Sequence, residues 1–267
     1  MLNYHAYPHD SPPYDSFSDA AAPRRVAPGL AQPAILACIG VIATFILGFT
    51  VQNSAFDLPV TQFFNRELTG GWRSAVDGIY QTLRGSYMPF FVTAAMLILM
   101  LITRRVIRPL VAGVTVLISW TGVLVVKAII ARPRPVWDYL ANPPSTHPSD
   151  LSFPSGHTTI VTVVSVVVFL LVYRGLDPTK LRSHASVTTL VVTALIGACC
   201  VIIIAITVFT RGVHFPTDSL GAAMWSLSIT PFVWACCENL LHWLLDSGLL
   251  SRWISDSPIH AAESDLK

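Results

Sequence analysis

Residues 187–209 read VTTLVVTALIGACCVIIIAITVF, and the next nine read Thr210-Arg211-Gly212-Val213-His214-Phe215-Pro216-Thr217-Asp218. The first stretch carries no charge and has the length of a membrane-spanning helix, which needs about twenty apolar residues. The second gathers Arg, His and Asp where such a span meets water. The same alternation recurs along the chain. Further uncharged or nearly uncharged runs cover 33–51, about 86–103, 109–126, 158–173 and about 219–241. The expected fold is therefore all-α: a polytopic membrane protein, a bundle of six transmembrane helices. The 267 residues are 53% hydrophobic and only 12% charged, against about a quarter charged in soluble domains. A mean hydropathy of +0.59 agrees.

The flanks define three segments. Residues 1–30 are rich in Pro, Ser, Asp, Tyr and Ala without apolar periodicity, and are expected to form a disordered tail. Residues 31–247 form the membrane domain, and 248–267 a short C-terminal tail. No cleavable signal peptide is expected, because the first apolar run begins only near Pro33 and is long enough to span. Residues 54–84 mix apolar side chains with Asp57, Arg66, Glu67, Arg73, Asp77 and Arg84. They read as short amphipathic helices at the interface, roofing the polar loops or bordering a lipid entry.

The net charge of +2 offers nothing to nucleic acid. The basic residues matter by position. With the N-terminus inside, the inner segments hold Arg24, Arg25, Arg104, Arg105, Arg108, Arg174, Lys180, Arg182, Arg252 and Lys267. The outer ones hold Arg66, Arg73, Arg84, Lys127, Arg132, Arg134 and Arg211. Ten against seven favours both termini in the cytoplasm. The loops after the first, third and fifth spans then face outward. The five cysteines, Cys38, Cys199, Cys200, Cys236 and Cys237, lie inside apolar runs with no Cys-x-x-Cys spacing. They read as buried small hydrophobes.

Three polar clusters sit at span ends on that one face. In the first, Lys127 precedes Arg134-Pro135 by seven residues, two helical turns if the helix persists to Arg132. A point charge and a planar fork together suit a phosphate. Snorkelling anchors at a helix end would look the same, and Arg132 reads equally as a second substrate cation or an anchor. In the second, Phe153-Pro154-Ser155-Gly156-His157 opens a span. A helix N-terminus offers free N–H groups to an anion, Gly156 allows close approach, and His157 is placed to give a proton. A simple N-cap beside a surface histidine is the plainer reading. In the third, Asp218 follows His214 by four residues. A carboxylate on one imidazole nitrogen frees the other as nucleophile or base, although a capping Asp beside an interfacial His would share the spacing. Together the three point to phosphoryl transfer. With no acidic cluster to hold a metal and no cofactor motif, the expectation is no metal and no cofactor, the charge being clamped by cations and N–H groups. Trp137, Asp138 and Tyr139 read as pocket border or interfacial belt. His147 reads as solvated, and Glu238 with His242 as polar residues closing the last span.

These residues resemble the type 2 phosphatidic acid phosphatase superfamily of lipid phosphate phosphatases. Lys127, Arg134 and Pro135 match its first motif, Pro154 to His157 its second, and His214 with Asp218 the second half of its third. The resemblance implies that His214 is the nucleophile and forms a phosphohistidine. Asp218 orients it and His157 protonates the leaving group. Lys127, Arg134, Ser155 and the Gly156 N–H hold the phosphate. The family's third motif begins Ser-Arg, where this chain has Thr207-Val208. Thr210-Arg211 reads as the displaced pair, since three and six residues back along a helix differ by about 60° of rotation. The implied activity is hydrolysis of a lipid phosphate or diphosphate, such as an isoprenyl diphosphate, phosphatidic acid or phosphatidylglycerophosphate. The implied partners are that substrate and the bilayer. A lipid phosphotransferase, a degenerate member that binds without turnover, and a small transporter are the rival readings. No internal repeat supports the transporter.

Overall fold

The computed structural model describes residues 29–83, 87–104, 106–144 and 148–247. The expected tails, apart from residues 29 and 30, lie outside the described residues. So do Arg24, Arg25, Arg84, Arg105, His147, Arg252 and Lys267. Within the described residues the secondary structure is helical throughout, with α1 (Ala31–Val51), α2 (Leu58–Arg66), α3 (Gly70–Thr82), α4 (Met88–Thr103), α5 (Ile107–Thr121), α6 (Val123–Ile130), α7 (Gly156–Gly175), α8 (His184–Thr210) and α9 (Pro216–Asp246). Five spans are long and apolar enough to cross a membrane: α1, the joined pair α5–α6, α7, α8 and most of α9. The sixth expected span is the shorter helix α4. Its 16 residues reach about 24 Å at 1.5 Å per residue, short of the roughly 30 Å of a hydrocarbon core. It packs along α5, so the count of six holds for bundle members and not for full-length spans.

Helix α9 is the hub, packed against α1, α5, α7 and α8. Val111, Val116, Ile160, Val163, Val167 and Trp234 join α5, α7 and α9 in one core, while Val51, Val123, Val126, Ile130, Phe153 and Trp225 form another nearer the polar loops. Without a hydrophobic drive between helices in lipid, close approach matters more than burial. Gly40 of α1 lies so near Ser228 of α9 that a Cβ there would collide with the serine side chain. The outside of the bundle is apolar: Ile35, Leu36, Ile39, Ile42, Ile46 and Phe49 of α1 are all exposed, as a lipid-facing surface requires. Cys38, Cys199 and Cys200 share that outer surface and are exposed, and Cys236 and Cys237 are half-buried. The expectation that the cysteines are buried is therefore corrected. Apolar runs in a membrane helix need not face inward, because lipid serves as well as a core.

Helices α2 and α3 both pack against α8. Asn65 of α2 donates to the carbonyls of Thr210 (2.9 Å) and Asn142 (2.8 Å), and its own carbonyl oxygen accepts from the Asn142 N–H (2.8 Å). One buried amide thus ties the short helices to the end of α8 and to the long loop between α6 and α7. The turn that follows α8 depends on Gly212, whose φ of +78° lies in the left-handed region and whose missing Cβ makes room for the Leu140 side chain. Gly212→Ala is expected to cost about 1–3 kcal/mol through backbone strain and the Leu140 clash, read as a lower unfolding midpoint in detergent. An unchanged midpoint would show that the turn relaxes freely.

Candidate active site

Lys127 lies in the last turn of α6. The helix stops at Ile130 because Ala131 adopts φ +51° and turns its N–H back to the Lys127 carbonyl, a left-handed C-terminal cap. The expected helical register between Lys127 and Arg134 is therefore corrected. Pro133 and Pro135 keep the chain out of helix after Arg132, and Arg134 returns to Lys127 through the loop, not along a helix face. What joins the two cations is Asp150: its carboxylate accepts from Lys127 Nζ at 2.9 Å and from Arg134 Nη2 at 2.6 Å. Arg134 also donates to the backbone carbonyls of Asp150 (2.9 Å) and Val213. Its Nη1 lies 3.3 Å from His214 Nε2.

His214 is buried in the turn between α8 and α9, and Asp218 is the third residue of α9. His214 Nδ1 lies 3.3 Å from Asp218 Oδ2. A carboxylate can only accept, so the ring proton belongs on Nδ1 and the lone pair on Nε2, facing Arg134. Burial is the main cause that pushes the His214 imidazole well below its ordinary value, and the Arg134 and Lys127 charges add to it. The ring is neutral at neutral pH. Asp218 is itself saturated. It accepts from Ser152 Oγ, from the Phe215 N–H (2.8 Å) and from Arg132 Nη1 (2.7 Å). Arg132, only 1% exposed, also donates to Asp57 (3.0 Å), Thr217 Oγ1 (2.7 Å) and the Ser54 carbonyl (2.9 Å), and its guanidinium lies over the Phe215 ring. It is an internal ion-pair centre, neither a surface anchor nor a residue lining the cavity.

Helix α7 begins at Gly156 with Ser155 as N-cap, its hydroxyl accepting from the Thr158 N–H at 3.3 Å. The Ser155 N–H donates to the Asp218 carbonyl (3.0 Å), which locks the start of α7 to the start of α9. Ser155 is fully buried by these contacts, and Gly156 and His157 face the cavity. The His157 ring stacks on Tyr80 of α3, with centroids 4.3 Å apart. Its Nε2 is buried with no hydrogen-bond partner. Arg211 sits elsewhere: it pairs with Asp77 of α3 and lies over the Tyr80 ring at 4.4 Å. The position of the family arginine, Val208, is buried with Ile204, Val213 and Tyr80 in an apolar cluster.

Lys127, Arg134, Asp150, Gly156, His157 and His214 line one cavity of about 300 Å³. Its remaining wall is mostly apolar: Leu83, Trp120, Val123, Leu124 and Ile160, with Tyr80 and Thr121 between. Of the sequence-derived candidates, Ser155, Asp218 and Arg211 support this cavity from behind and do not line it. Residues 108–241 match the model of the PAP2 superfamily.

The chain belongs to the PAP2 superfamily.

A solved structure described as the first transmembrane PAP2-type phosphatidylglycerolphosphate phosphatase from Bacillus subtilis has a similar fold. It is 20% identical, with a TM-score of 0.55, and the match covers 76% of this chain and 94% of that one. No curated protein matches the sequence. This PAP2 chain is a multi-pass membrane protein whose loop cavity combines two cations, two imidazoles and a helix N-terminus.

Sequence reasoning missed three residues of this region. Asp150 had a signal, an acid four residues before Pro154 in the loop that joins the Lys127–Arg134 motif to the Ser155–His157 motif. Asp57 and Tyr80 had only the general expectation that 54–84 roofs the polar loops, because Asp57 at the N-cap of α2 and Tyr80 on α3 reach the site from far along the chain. Glu238, read as a polar residue closing the last span, pairs with Arg174 near the other end of the bundle.

Proposed function

We propose that this PAP2 protein cleaves a phosphomonoester or diphosphate from a membrane amphiphile through a phosphohistidine on His214. The observation that carries the reading is the pairing within one cavity of His214 Nε2, its proton held on Nδ1 by Asp218, with a buried and unpartnered His157 Nε2. Lys127, Arg134 and the Gly156 N–H take the phosphoryl oxygens. With the negative charge of the substrate beside it, His157 carries a second ring proton. His214 Nε2 attacks phosphorus, the bond to the leaving oxygen breaks, and the His157 imidazolium gives that oxygen its Nε2 proton and becomes neutral. A water then gives a proton to His157 and attacks the phosphohistidine. The N–P bond breaks, and phosphate leaves with His214 neutral again. The positive charge comes from side chains and backbone N–H groups. A cavity of about 300 Å³ has room for a headgroup, and its apolar wall includes the exposed Leu124, so the chain of the substrate runs out into lipid. On the basic-residue bias, the site faces outward and both termini face the cytoplasm.

The detergent-purified protein, with EDTA present, is expected to release phosphate from isoprenyl diphosphate or phosphatidic acid. Labelled substrate should leave an acid-labile, alkali-stable phosphoprotein. Transfer of the label to an added alcohol in preference to water would make it a phosphotransferase. One observation favours a second reading. Val208 replaces the family arginine, and Arg211 is engaged with Asp77 and Tyr80 and does not reach the cavity, as a member that binds lipid phosphate without turnover would show. Binding of inorganic phosphate with no release from any lipid would establish that reading instead.

A further inference from the structure

The proposed chemistry makes no use of Asp150, yet its carboxylate bridges the two side-chain cations of the cavity. Those cations have a second set of ligands. Arg134 donates to the backbone carbonyls of Asp150 and Val213, and Lys127 Nζ to that of Leu151. The carbonyls belong to the main chain and stay in place. The carboxylate belongs to a side chain that is 59% exposed, so water is at hand to take it when an anion displaces it from the cations. Orientation of the cations therefore has supports besides the carboxylate, whose two hydrogen bonds from Lys127 and Arg134 are ones a phosphoryl oxygen can replace.

We propose that Asp150 is a tethered competitor for the phosphate seat, which keeps monoanionic phosphodiester headgroups out and yields to the dianionic phosphoryl group of a substrate. This rests on the phosphatase reading above. Bulk bilayer lipids are phosphodiesters with one negative charge at phosphorus. A phosphomonoester carries close to two at neutral pH. An open seat with two cations at the membrane boundary would fill with the abundant diesters. A tethered carboxylate lowers the apparent affinity of every anion by the same factor, as any competitor for one site does. The weakly bound monoanions then fall below occupancy, and the dianion still binds. Acid does not relieve the competition. Burial alone would raise the Asp150 carboxyl, but the adjacent Lys127 and Arg134 charges outweigh it and hold it well below the ordinary carboxylate range.

The test measures inhibition of phosphate release by inorganic phosphate and by dimethyl phosphate at pH 8. It uses the full chain in detergent as wild type, Asp150→Asn and Asp150→Ser. Two part-exposed ion pairs together are worth about twofold to thirtyfold. Both inhibition constants are expected to fall by that factor, and by the same factor, in both variants. Phosphatidylglycerol added to the micelles should inhibit the variants at levels that leave the wild type active. Unchanged or weaker inhibition in the variants overturns the proposal and makes Asp150 an orienting residue. Tightening of phosphate alone also overturns it, since that is repulsion without displacement. A wild type that neither releases nor binds phosphate overturns the phosphatase reading itself. A wild type that does both, with variants that do not tighten, overturns only the competitor.

Discussion

His214→Ala is expected to abolish phosphate release, with kcat at least about 10⁴-fold below wild type, since a nucleophile and its partners act as a unit. The side chain is buried in a turn held by the Asn65 and Gly212 contacts, which involve backbone and neighbours and not the imidazole. The protein should therefore still fold and still bind inorganic phosphate at Lys127 and Arg134. The check is a pair of measurements on one preparation: turnover with the lipid substrate, and phosphate binding by calorimetry. Turnover within tenfold of wild type would remove His214 as nucleophile and leave the phosphohistidine without a bearer. Loss of both turnover and binding would mean that the imidazole also organises the cations, as its 3.3 Å contact with Arg134 permits.

Arg132→Met is expected to lower stability by about 3–5 kcal/mol, the usual cost of removing one partner from a buried ion pair. Arg132 stands between two carboxylates, Asp57 and Asp218, both buried. Neither is reached by water that would replace a lost guanidinium. Asp57 also accepts from the Thr217 N–H (3.0 Å) and hydroxyl (2.6 Å), so the strain passes directly to the start of α9 and to the entry of α2. Denaturant or thermal unfolding in detergent measures it. Adding Asp57→Asn to Arg132→Met should recover part of the loss, because it removes one of the two stranded charges. A loss under about 1 kcal/mol, or no recovery in the double variant, would show that the carboxylates find other partners.

Much of this was legible along the chain. Charge-free runs such as 187–209 state a membrane helix by length alone. Ser155-Gly156 before an apolar run states a helix start, and His214 and Asp218 meet because they are four residues apart at a helix entry. Each of these is local physics. Other features were misread or invisible for a related reason. Lys127 and Arg134 would share a helical face only if the helix ran on to Arg132, and a left-handed Ala131 ends it first, a conformation that nothing in the residue type announces. Val208 was read as a vacancy for Arg211 to fill. In the fold Val208 closes an apolar cluster, and Arg211 goes to Asp77.

By itself, then, the sequence determined a membrane bundle, the three helix-end motifs, and the residues from which phosphate chemistry can be built, because hydropathy, helix caps and i,i+4 pairs act within one or two turns of chain. Only the tertiary structure decided which acid meets which base. Asp150 on Lys127 and Arg134, Arg132 between Asp57 and Asp218, and Tyr80 between Arg211 and His157 are contacts across loops and helices. Charge attraction falls off with distance through space, and the path of the chain sets that distance. Residue order along the chain leaves it open.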